Sequence, residues 1–394
     1  MSEMIHRRIE PEVLRCEEEY PVLTIIGPRQ SGKTTLARMA FPQHAYVNLE
    51  HPEQRQLAVA DPRTFLARYR APVILDEIQN VPELLSWIQV AVDARPTDKG
   101  LYVLTGSHQM KLREEVSQSL AGRTALLTLL PFTIEERESG YGRLPEREDL
   151  MLSGLLPRIH QEQIRPYRAW QDYYRTYVER DVRQLRNIGN QAGFEQFVKM
   201  LAARVGQEVN LHSISNELGV SSPTLRQWLS VLESSFLVFR LPPFWQNFGK
   251  RITKSPRLYF LDTGLVCYLL GIETAAQLAR DPLLGNLFEN MVVMDFFKYR
   301  HNLGKTPDLY FFRDHNRSEV DLLVPVDGGE IPVEIKSSRT YHPSFAKGIA
   351  YYQRISGTKK KGMVVYDGEL EFEADDMVTT NFRNMFARLE QMAL

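Results

Sequence analysis

The chain has 394 residues, roughly two to three times the length of a typical domain, so we expect more than one hydrophobic core. Apolar residues make up 43% and charged residues 25%, which excludes a largely disordered, collagenous or coiled-coil protein. Because 48 basic side chains stand against 49 acidic ones, no overall positive field points to a nucleic acid or a membrane, and any such site must be local.

Two cysteines, Cys16 and Cys267, are too few for a disulfide framework and lack the paired spacing of a zinc site. This cysteine usage is typical of the reducing cytosol, so we expect a cytoplasmic protein. The residues before Pro21 mix charges without a continuous apolar stretch, and no later run reaches the roughly 20 apolar residues of a membrane helix. We therefore expect neither a signal peptide nor a membrane partner.

Residues 21–131 alternate short apolar runs with longer polar segments. The runs read VLTIIG, AYVNLE, PVILDE, LYVLTGS and TALLTLLP. Short buried strands separated by helical stretches are typical of a parallel sheet covered by helices. The sequence therefore predicts an α/β fold for this part of the chain.

Residues 27–34 read GPRQSGKT, which matches the phosphate-loop pattern G-x-x-x-x-G-K-[ST] between an apolar run and a helical one. The glycines permit a tight loop whose backbone amides face phosphates, and the following helix adds its positive N-terminal end. Lys33 would contact the β- and γ-phosphates of ATP, and the Thr34 hydroxyl would ligate Mg²⁺. The predicted nucleotide-binding residues are Gly27, Pro28, Arg29, Gln30, Ser31, Gly32, Lys33, Thr34 and Thr35.

Two carboxylates, Asp76 and Glu77, close the apolar run at 73–75. The carboxyl ends of parallel strands are where phosphates bind, so Asp76 is predicted to lie on the magnesium side and Glu77 to orient the attacking water. Acidic residues also end strands without any function, and it is the phosphate loop that favours the catalytic interpretation. Ser107 follows another buried run and could contact the γ-phosphate, although a plain strand-ending turn explains it nearly as well.

Arg123, in the segment SLAGRTALL, has two interpretations. It could reach the γ-phosphate of a neighbouring subunit and stabilise the developing charge, or it could be an ordinary surface arginine. Its spacing does not decide between them. The first interpretation requires a homo-oligomer.

The middle of the chain reads as helical, and residues 211–229 (LHSISNELGVSSPTLRQWL) predict a helix-turn-helix. Two apolar runs that follow, FLVFRL and RLYFLD, could pair as the wing of a winged helix. Basic residues near the second helix start and at the wing tip suit phosphate and base contacts, whereas many such motifs serve only as spacers. The predicted DNA-contacting residues are Arg226, Gln227, Lys250, Arg251 and Lys254.

Further along the chain, Asp321 in SEVDLLV and Glu334 with Lys336 in PVEIKSS lie on two strand patterns separated by the turn 327–329. A hairpin would bring the three side chains to one face. The two carboxylates could hold Mg²⁺ or Mn²⁺ that activates water, with Lys336 offsetting charge on the attacked group. Glu289, on the helical run LFENMVVMDFF, is a further candidate ligand.

The motifs together resemble a family of prokaryotic AAA-type ATPases that join the ATPase core to a C-terminal domain of the restriction-endonuclease-like PD-(D/E)XK superfamily. The resemblance rests on GPRQSGKTTL, VILDEIQ, LTGS, LAGR, LLPFTIEE, YVERDVRQL, KSPRLYFLDTGL, LFEN, EVDLLV and VEIKSS. It covers nearly the whole chain. It implies a RecA-like P-loop NTPase core with the strand LYVLTGS between the loop strand and the DE strand, and it favours Arg123 as an arginine finger.

From these patterns and the resemblance we predict an ATPase domain at 1–145, a helical and winged-helix domain at 146–262 and a nuclease-like α/β domain at 263–394. The predicted catalytic residues are Lys33, Glu77, Ser107, Arg123, Asp321, Glu334 and Lys336. The predicted metal ligands are Thr34, Asp76, Glu289, Asp321 and Glu334. ATP and Mg²⁺ are the expected cofactors, with a second Mg²⁺ or Mn²⁺ expected if the C-terminal domain binds metal.

The function we expect is an ATP-driven motor or remodeller of duplex or branched DNA, such as Holliday junctions, working as a homo-oligomer and in particular a hexameric ring. One alternative is an ATP-gated, metal-dependent DNA nuclease of a defence or mobile-element system. Another is a signalling or scaffold ATPase. The acidic segment 367–376 carries six acids and no base, so we expect it to face solvent or a basic partner.

Overall fold

A computed structural model of the chain describes residues 5–107, 119–182, 189–244, 255–314 and 318–393. Within these ranges no helix is both long and apolar enough to cross a membrane. Cys16 and Cys267 are buried free thiols.

The strands and helices follow one another along the chain with short connections. The strands are β1 (Val22–Ile26), β2 (Ala45–Asn48), β3 (Val73–Asp76), β4 (Tyr102–Gly106), β5 (Thr124–Thr128), β6 (Val238–Leu241), β7 (Arg257–Phe260), β8 (Tyr310–Arg313), β9 (Glu319–Val326), β10 (Gly329–Lys336), β11 (Gly362–Tyr366), β12 (Phe372–Glu373) and β13 (Met377–Asn381). The α-helices are α1 (Glu10–Glu19), α2 (Lys33–Ala40), α3 (Pro52–Ala60), α4 (Pro62–Arg68), α5 (Leu84–Asp93), α6 (Ile134–Tyr141), α7 (Arg147–Ser153), α8 (Pro157–Gln161), α9 (Pro166–Tyr173), α10 (Gln191–Ala202), α11 (Leu211–Leu218), α12 (Ser222–Ser234), α13 (Thr263–Leu270), α14 (Ala275–Leu278), α15 (Leu284–Asn302), α16 (Lys347–Ser356) and α17 (Met385–Ala393). Short 3₁₀ turns lie at Ile78–Asn80 and Pro343–Ala346, and Tyr174–Val182 is π-helical.

The N-terminal sheet is parallel throughout, with the strand order β2-β3-β4-β1-β5. All residues of β1, β3 and β4 are buried, as expected where helices cover both faces of a sheet. The position of β4 between β1 and β3 confirms the predicted place of LYVLTGS. Because parallel strands end at one edge, the phosphate loop after β1, Asp76 at the end of β3 and Ser107 after β4 come together there.

The helix-turn-helix is confirmed in the middle of the chain. Helix α11 ends at Gly219, whose φ of 65° is left-handed, and α12 begins after Ser221, whose hydroxyl accepts a hydrogen bond from the Thr224 backbone N–H. Strands β6 and β7 pair antiparallel, as the predicted wing requires. The connecting loop, with Lys250, Arg251 and Lys254, lies outside the described residues.

The C-terminal sheet has the order β12-β13-β11-β10-β9-β8. Strands β9 and β10 form the predicted hairpin, in which Val324 pairs with Ile331 across the turn. Strands β11 and β13 continue the sheet in parallel with β10 and are not among the predicted strands. The hairpin therefore lies inside a larger mixed sheet and not at its free edge.

The acidic segment 367–376 finds basic partners within the chain. Asp367 lies 3.1 Å from Arg147 Nη1 and 3.1 Å from Arg339 Nε, and Glu373 pairs with Lys361 at 2.6 Å. The expectation that this segment faces solvent or another molecule is wrong for these two carboxylates, because folding brings distant bases to them.

One helix, α15, ties the N-terminal sheet to the C-terminal one. The Asp295 carboxylate accepts a hydrogen bond from the Ile134 backbone N–H at 3.2 Å, and Lys298 Nζ donates to the Phe132 carbonyl at 3.0 Å. Both charged side chains are buried. A single hydrophobic cluster runs from the parallel sheet through the middle helices to the C-terminal strands, so the predicted boundaries at 145 and 262 fall within continuous packing and stay predictions.

Candidate functional site

The phosphate loop requires glycine at two positions for different reasons. A Cβ at Gly27 would lie 2.0 Å from the Leu129 carbonyl oxygen, so the close approach of β5 excludes any side chain. Gly32 has a φ of 93°, a conformation that favours glycine. The loop thus passes from β1 into α2 in a tight turn.

Lys33 lies at the centre of this loop. Its Nζ donates to the carbonyl oxygens of Gly27 at 3.1 Å and Pro28 at 2.8 Å. Burial lowers the pKa of Lys33 to about 8, although Glu77 and Asp76 oppose the shift. The ammonium is therefore already held inside the loop that would surround a phosphate.

Asp76 and Thr34, both predicted on the magnesium side, contact each other. Thr34 Oγ1 lies 3.0 Å from Asp76 Oδ2, and the buried carboxylate also accepts hydrogen bonds from Tyr46 Oη at 2.8 Å and from Thr105 Oγ1. Tyr46 and Thr105 are not among the predicted site residues, although both lie on predicted strands. Hydroxyl and carboxylate oxygens are the ligands that Mg²⁺ prefers, so this pair fits the ion.

Glu77 follows in a left-handed conformation, with a φ of 56°, which is uncommon for a residue other than glycine. Its Oε2 accepts hydrogen bonds from Ser107 Oγ at 3.2 Å and from Gln79 Nε2. Ser107, the predicted γ-phosphate contact, therefore touches the predicted base directly. Gln79 completes the group and was not predicted from its place in VILDEIQ.

Arg123 lies at the opposite edge of the same sheet. Its carbonyl accepts a hydrogen bond from the Val22 N–H at the start of β1, whereas the phosphate loop follows the end of β1. The guanidinium makes a two-point ion pair with Asp93, with Nε to Oδ1 at 2.6 Å and Nη2 to Oδ2 at 2.9 Å. Only the nucleotide of another subunit lies within the range of the predicted arginine-finger role.

The hairpin brings three predicted residues of the C-terminal region together. Lys336 Nζ lies 2.6 Å from Glu334 Oε2 and 3.2 Å from Asp321 Oδ2. The Asp321 carboxylate also accepts the Ile335 backbone N–H at 2.9 Å. The period-two argument that placed these side chains on one face is confirmed.

Arg257, which is not among the predicted residues, joins the same cluster. Its Nη1 lies 3.3 Å from Glu289 Oε1 and 3.6 Å from Asp321 Oδ1, while Nη2 lies 2.8 Å from Glu319 Oε2. A single arginine in the apolar run RLYFLD was the available signal, because a buried charge on a strand needs a partner.

The carboxyl groups of the cluster differ in their protonation. Burial and the neighbouring Asp321 raise the pKa of Glu334 to about 9 and that of Glu289 to about 7. Burial would also raise the pKa of Asp321, but Lys336 and Arg257 outweigh it and hold that pKa below its ordinary value. Asp321 is therefore the member of the cluster that keeps its negative charge.

The fit of a divalent metal to this cluster is limited by its cations. Among the residues that the structure describes, no group of three histidine, cysteine or acidic side chains could hold a metal ion. Glu289 and Asp321 are joined through Arg257, and Lys336 lies between Asp321 and Glu334. The assignment of Glu289, Asp321 and Glu334 as metal ligands stays a prediction.

Helix α12 presents two of the predicted DNA-contacting residues. Arg226 and Gln227 are exposed, while Leu225 and Trp228, on either side of them, are buried. This pattern is that of an amphipathic helix with a polar outer face. The structure thus places Arg226 and Gln227 where a ligand could reach them.

Comparison with known proteins divides the chain into three matched segments. An AAA domain matches residues 19–138, and two domains of unknown function match residues 145–276 (DUF8612) and 284–385 (DUF4143). Two uncharacterized proteins, from Mycobacterium bovis and Mycobacterium tuberculosis, are each 33% identical to this chain over 369 residues, covering 92% of it and 80% of their own length. The chain belongs to the same family as these mycobacterial proteins. Its N-terminal region is an AAA-type P-loop ATPase domain.

Solved structures resemble the chain more weakly. The Walker-type ATPase of Pyrococcus abyssi is 15% identical, with a TM-score of 0.47, and the match covers 68% of this chain and 96% of that one. DnaA from Aquifex aeolicus, solved with AMPPCP, is 14% identical with a TM-score of 0.30, covering 57% and 86% of the two chains. Similarity at this level does not extend to function, and the relation of the C-terminal region to PD-(D/E)XK nucleases stays a prediction.

Proposed function

We propose that this member of the family hydrolyses ATP with Mg²⁺ and uses the energy to act on DNA. The observation that carries the ATPase part is the contact of Thr34 with Asp76 at 3.0 Å, at the mouth of a phosphate loop and directly before Glu77. Each part stands where phosphoryl transfer needs it.

The residues of this site divide the work. Bound Mg²⁺ would neutralise charge that develops on the transferred phosphate. Thr34 and Asp76 supply oxygen ligands on its side of the site, and Lys33 would exchange its two loop carbonyls for phosphate oxygens. Glu77 would orient the attacking water and accept its proton, while Ser107 holds the Glu77 carboxylate in place.

The ATPase is tested with Lys33→Ala and Glu77→Gln, and Asp321→Asn serves as the control. Lys33→Ala should weaken nucleotide binding and turnover together. Glu77→Gln should keep binding and lose turnover by about 10²- to 10⁴-fold, because only proton transfer is removed. Asp321→Asn should hydrolyse ATP normally. Normal phosphate release by Glu77→Gln would show that Glu77 is not the base.

We further propose that the active form is a homo-oligomer in which Arg123 acts on the nucleotide of a neighbour. The position of Arg123 at the far edge of its own sheet supports this arrangement. Mixing inactive Arg123→Ala subunits with inactive Lys33→Ala subunits should restore part of the activity, since each keeps what the other lacks. A mixture as inactive as its components would contradict a shared site.

DNA contact is proposed to run through the exposed face of α12. Arg226→Ala should weaken binding and lower the slope of log affinity against log salt by about one unit if Arg226 touches phosphate. Arg240→Ala is the matched control, because Arg240 is partly exposed in the same region but paired with Glu233 at 2.6 Å. Unchanged affinity and slope in Arg226→Ala would favour the spacer role, and an active ATPase that binds no DNA would favour the signalling or scaffold alternative.

A metal-dependent nuclease is the second candidate, favoured by the convergence of Asp321, Glu334 and Lys336 on one face of the hairpin. The test is incubation with linear, single-stranded and four-way DNA, with Mg²⁺ or Mn²⁺ and with or without ATP. Asp321→Asn should abolish any cutting and leave ATP hydrolysis intact. Failure of the wild type to cut any of these substrates would exclude the nuclease and leave the motor.

A further inference from the structure

The phosphate loop is held from behind by Arg7, which belongs to none of the sites discussed above. Its Nη1 donates to the Ser31 carbonyl at 2.9 Å, and its Nη2 donates to the Leu130 carbonyl at 2.7 Å. The side chain is only 7% exposed, and the guanidinium lies 4.9 Å from the centre of the Phe132 ring. A buried charge in this place must serve the residues it touches.

Glu136 fixes the orientation of this guanidinium. Arg7 Nε and Nη2 lie 3.1 and 3.3 Å from the two Glu136 carboxylate oxygens. The same carboxylate caps α6 by accepting the Thr133 backbone N–H at 2.8 Å. A two-point pair between a planar guanidinium and a capped, buried carboxylate leaves Arg7 little rotational freedom.

The Ser31 carbonyl that Arg7 holds belongs to the same peptide group as the Gly32 N–H. In a planar trans peptide these two groups point in opposite directions, so fixing the carbonyl fixes the amide. Gly32, at a φ of 93°, has no side chain to restrain rotation of that peptide. Amides of a phosphate loop are the groups that donate to bound phosphates.

Resting on the proposed ATPase function, we propose that Arg7 is a positioning residue for nucleotide binding. It holds the Ser31–Gly32 peptide in one orientation and so presents the Gly32 amide to the phosphates. Arg7 touches the loop through its backbone and does not itself contact the nucleotide.

The neighbouring Arg8 provides a matched control. It pairs with Glu135 and Glu390, and its guanidinium lies 5.2 Å from the centre of the Tyr299 ring. Arg8 therefore resembles Arg7 in charge, chain position and ion pairing, but its contacts are with α6, α15 and α17.

The experiment measures the affinity for Mg-ADP by calorimetry, with the melting temperature of each variant. Arg7→Lys should raise the Kd for ADP by about tenfold to a hundredfold, because one ammonium cannot satisfy Glu136 and the Ser31 carbonyl as the guanidinium fork does. Its KM for ATP should rise by more than its kcat falls. Arg8→Met should leave the ADP affinity unchanged.

A paired variant, Arg7→Met with Glu136→Gln, removes both buried charges and separates positioning from folding. Its melting temperature should return close to the wild-type value while its ADP affinity stays low. Recovery of affinity along with stability, or wild-type affinity in Arg7→Lys, would overturn the proposal. So would a loss confined to kcat. If wild-type protein bound no ADP or ATP, the proposed function itself would fail, which is a different result.

Discussion

The nucleotide site and the C-terminal cluster both contain buried carboxylates, but their charges are balanced in different ways. Asp76 is held by the neutral hydroxyls of Thr34, Tyr46 and Thr105. Asp321 is held by two cations, with Lys336 at 3.2 Å and Arg257 at 3.6 Å. Hydroxyl donors orient a carboxylate and leave its charge in place, whereas a nearby cation cancels that charge.

This difference separates a site that is ready for a metal from one that is closed by its own side chains. A divalent ion at Asp76 would meet an oriented and uncancelled negative charge. An ion at Asp321 would have to displace Lys336 or Arg257, or overcome their repulsion. Carboxylates near a predicted strand end thus have opposite prospects, and the surrounding cations decide between them.

The largest expected effect comes from breaking the closed cluster with Arg257→Met. Loss of the guanidinium leaves Glu289 and Asp321 buried without their shared cation, which should destabilise the fold by about 3 to 5 kcal/mol. Urea unfolding measures the change. Arg240→Met, which breaks a partly exposed pair, is the control and should cost less than about 1 kcal/mol. Equal stability of Arg257→Met and wild type would contradict the claim that Arg257 closes the cluster.

A metal should then restore part of what Arg257 provided. At a hundredfold excess over its Kd, Mg²⁺ or Mn²⁺ should stabilise Arg257→Met by about 2 to 3 kcal/mol, because the ion binds the folded state alone. Wild-type protein without nucleotide should show a smaller shift in its melting temperature. An equal shift in both proteins would place the metal elsewhere.

Sequence patterns predicted the parts of these sites that depend on local order. The phosphate loop, the DE strand end and the hairpin follow from spacing, and the structure brings Thr34 to Asp76 and Lys336 to Glu334 as expected. Partners distant in the chain were beyond that reasoning. Arg257 meets Glu289 through packing of β7 against α15, and Arg7 meets the loop only after the N-terminal segment folds across it. Neither contact leaves a periodic signal.

Asp295 offers a third type of buried carboxylate, bonded to a backbone amide. Burial raises its pKa to about 7, so between about pH 4 and 7 the folded protein holds a proton that the unfolded chain releases. The free energy of unfolding should therefore fall as the pH rises through this window, by up to about 1.4 kcal/mol per pH unit. Asp295→Asn should flatten that dependence in urea unfolding measured at several pH values, whereas the exposed Asp172→Asn should not. Parallel pH profiles for wild type and Asp295→Asn would contradict the assignment.

The smallest effect is expected from Tyr46→Phe, which tests whether neutral donors matter at the nucleotide site. The change removes one hydroxyl that lies 2.8 Å from Asp76 and keeps the ring, so folding and nucleotide binding should be preserved. One lost hydrogen bond to a charged acceptor corresponds to about 1 kcal/mol, and ATP turnover should fall roughly fivefold. Tyr69→Phe, which loses a hydrogen bond to Gln54 in the same domain, should turn over normally. If both variants matched wild type, orientation of Asp76 by hydroxyl groups would contribute nothing to turnover, and the contrast with the closed C-terminal cluster would rest on charge alone.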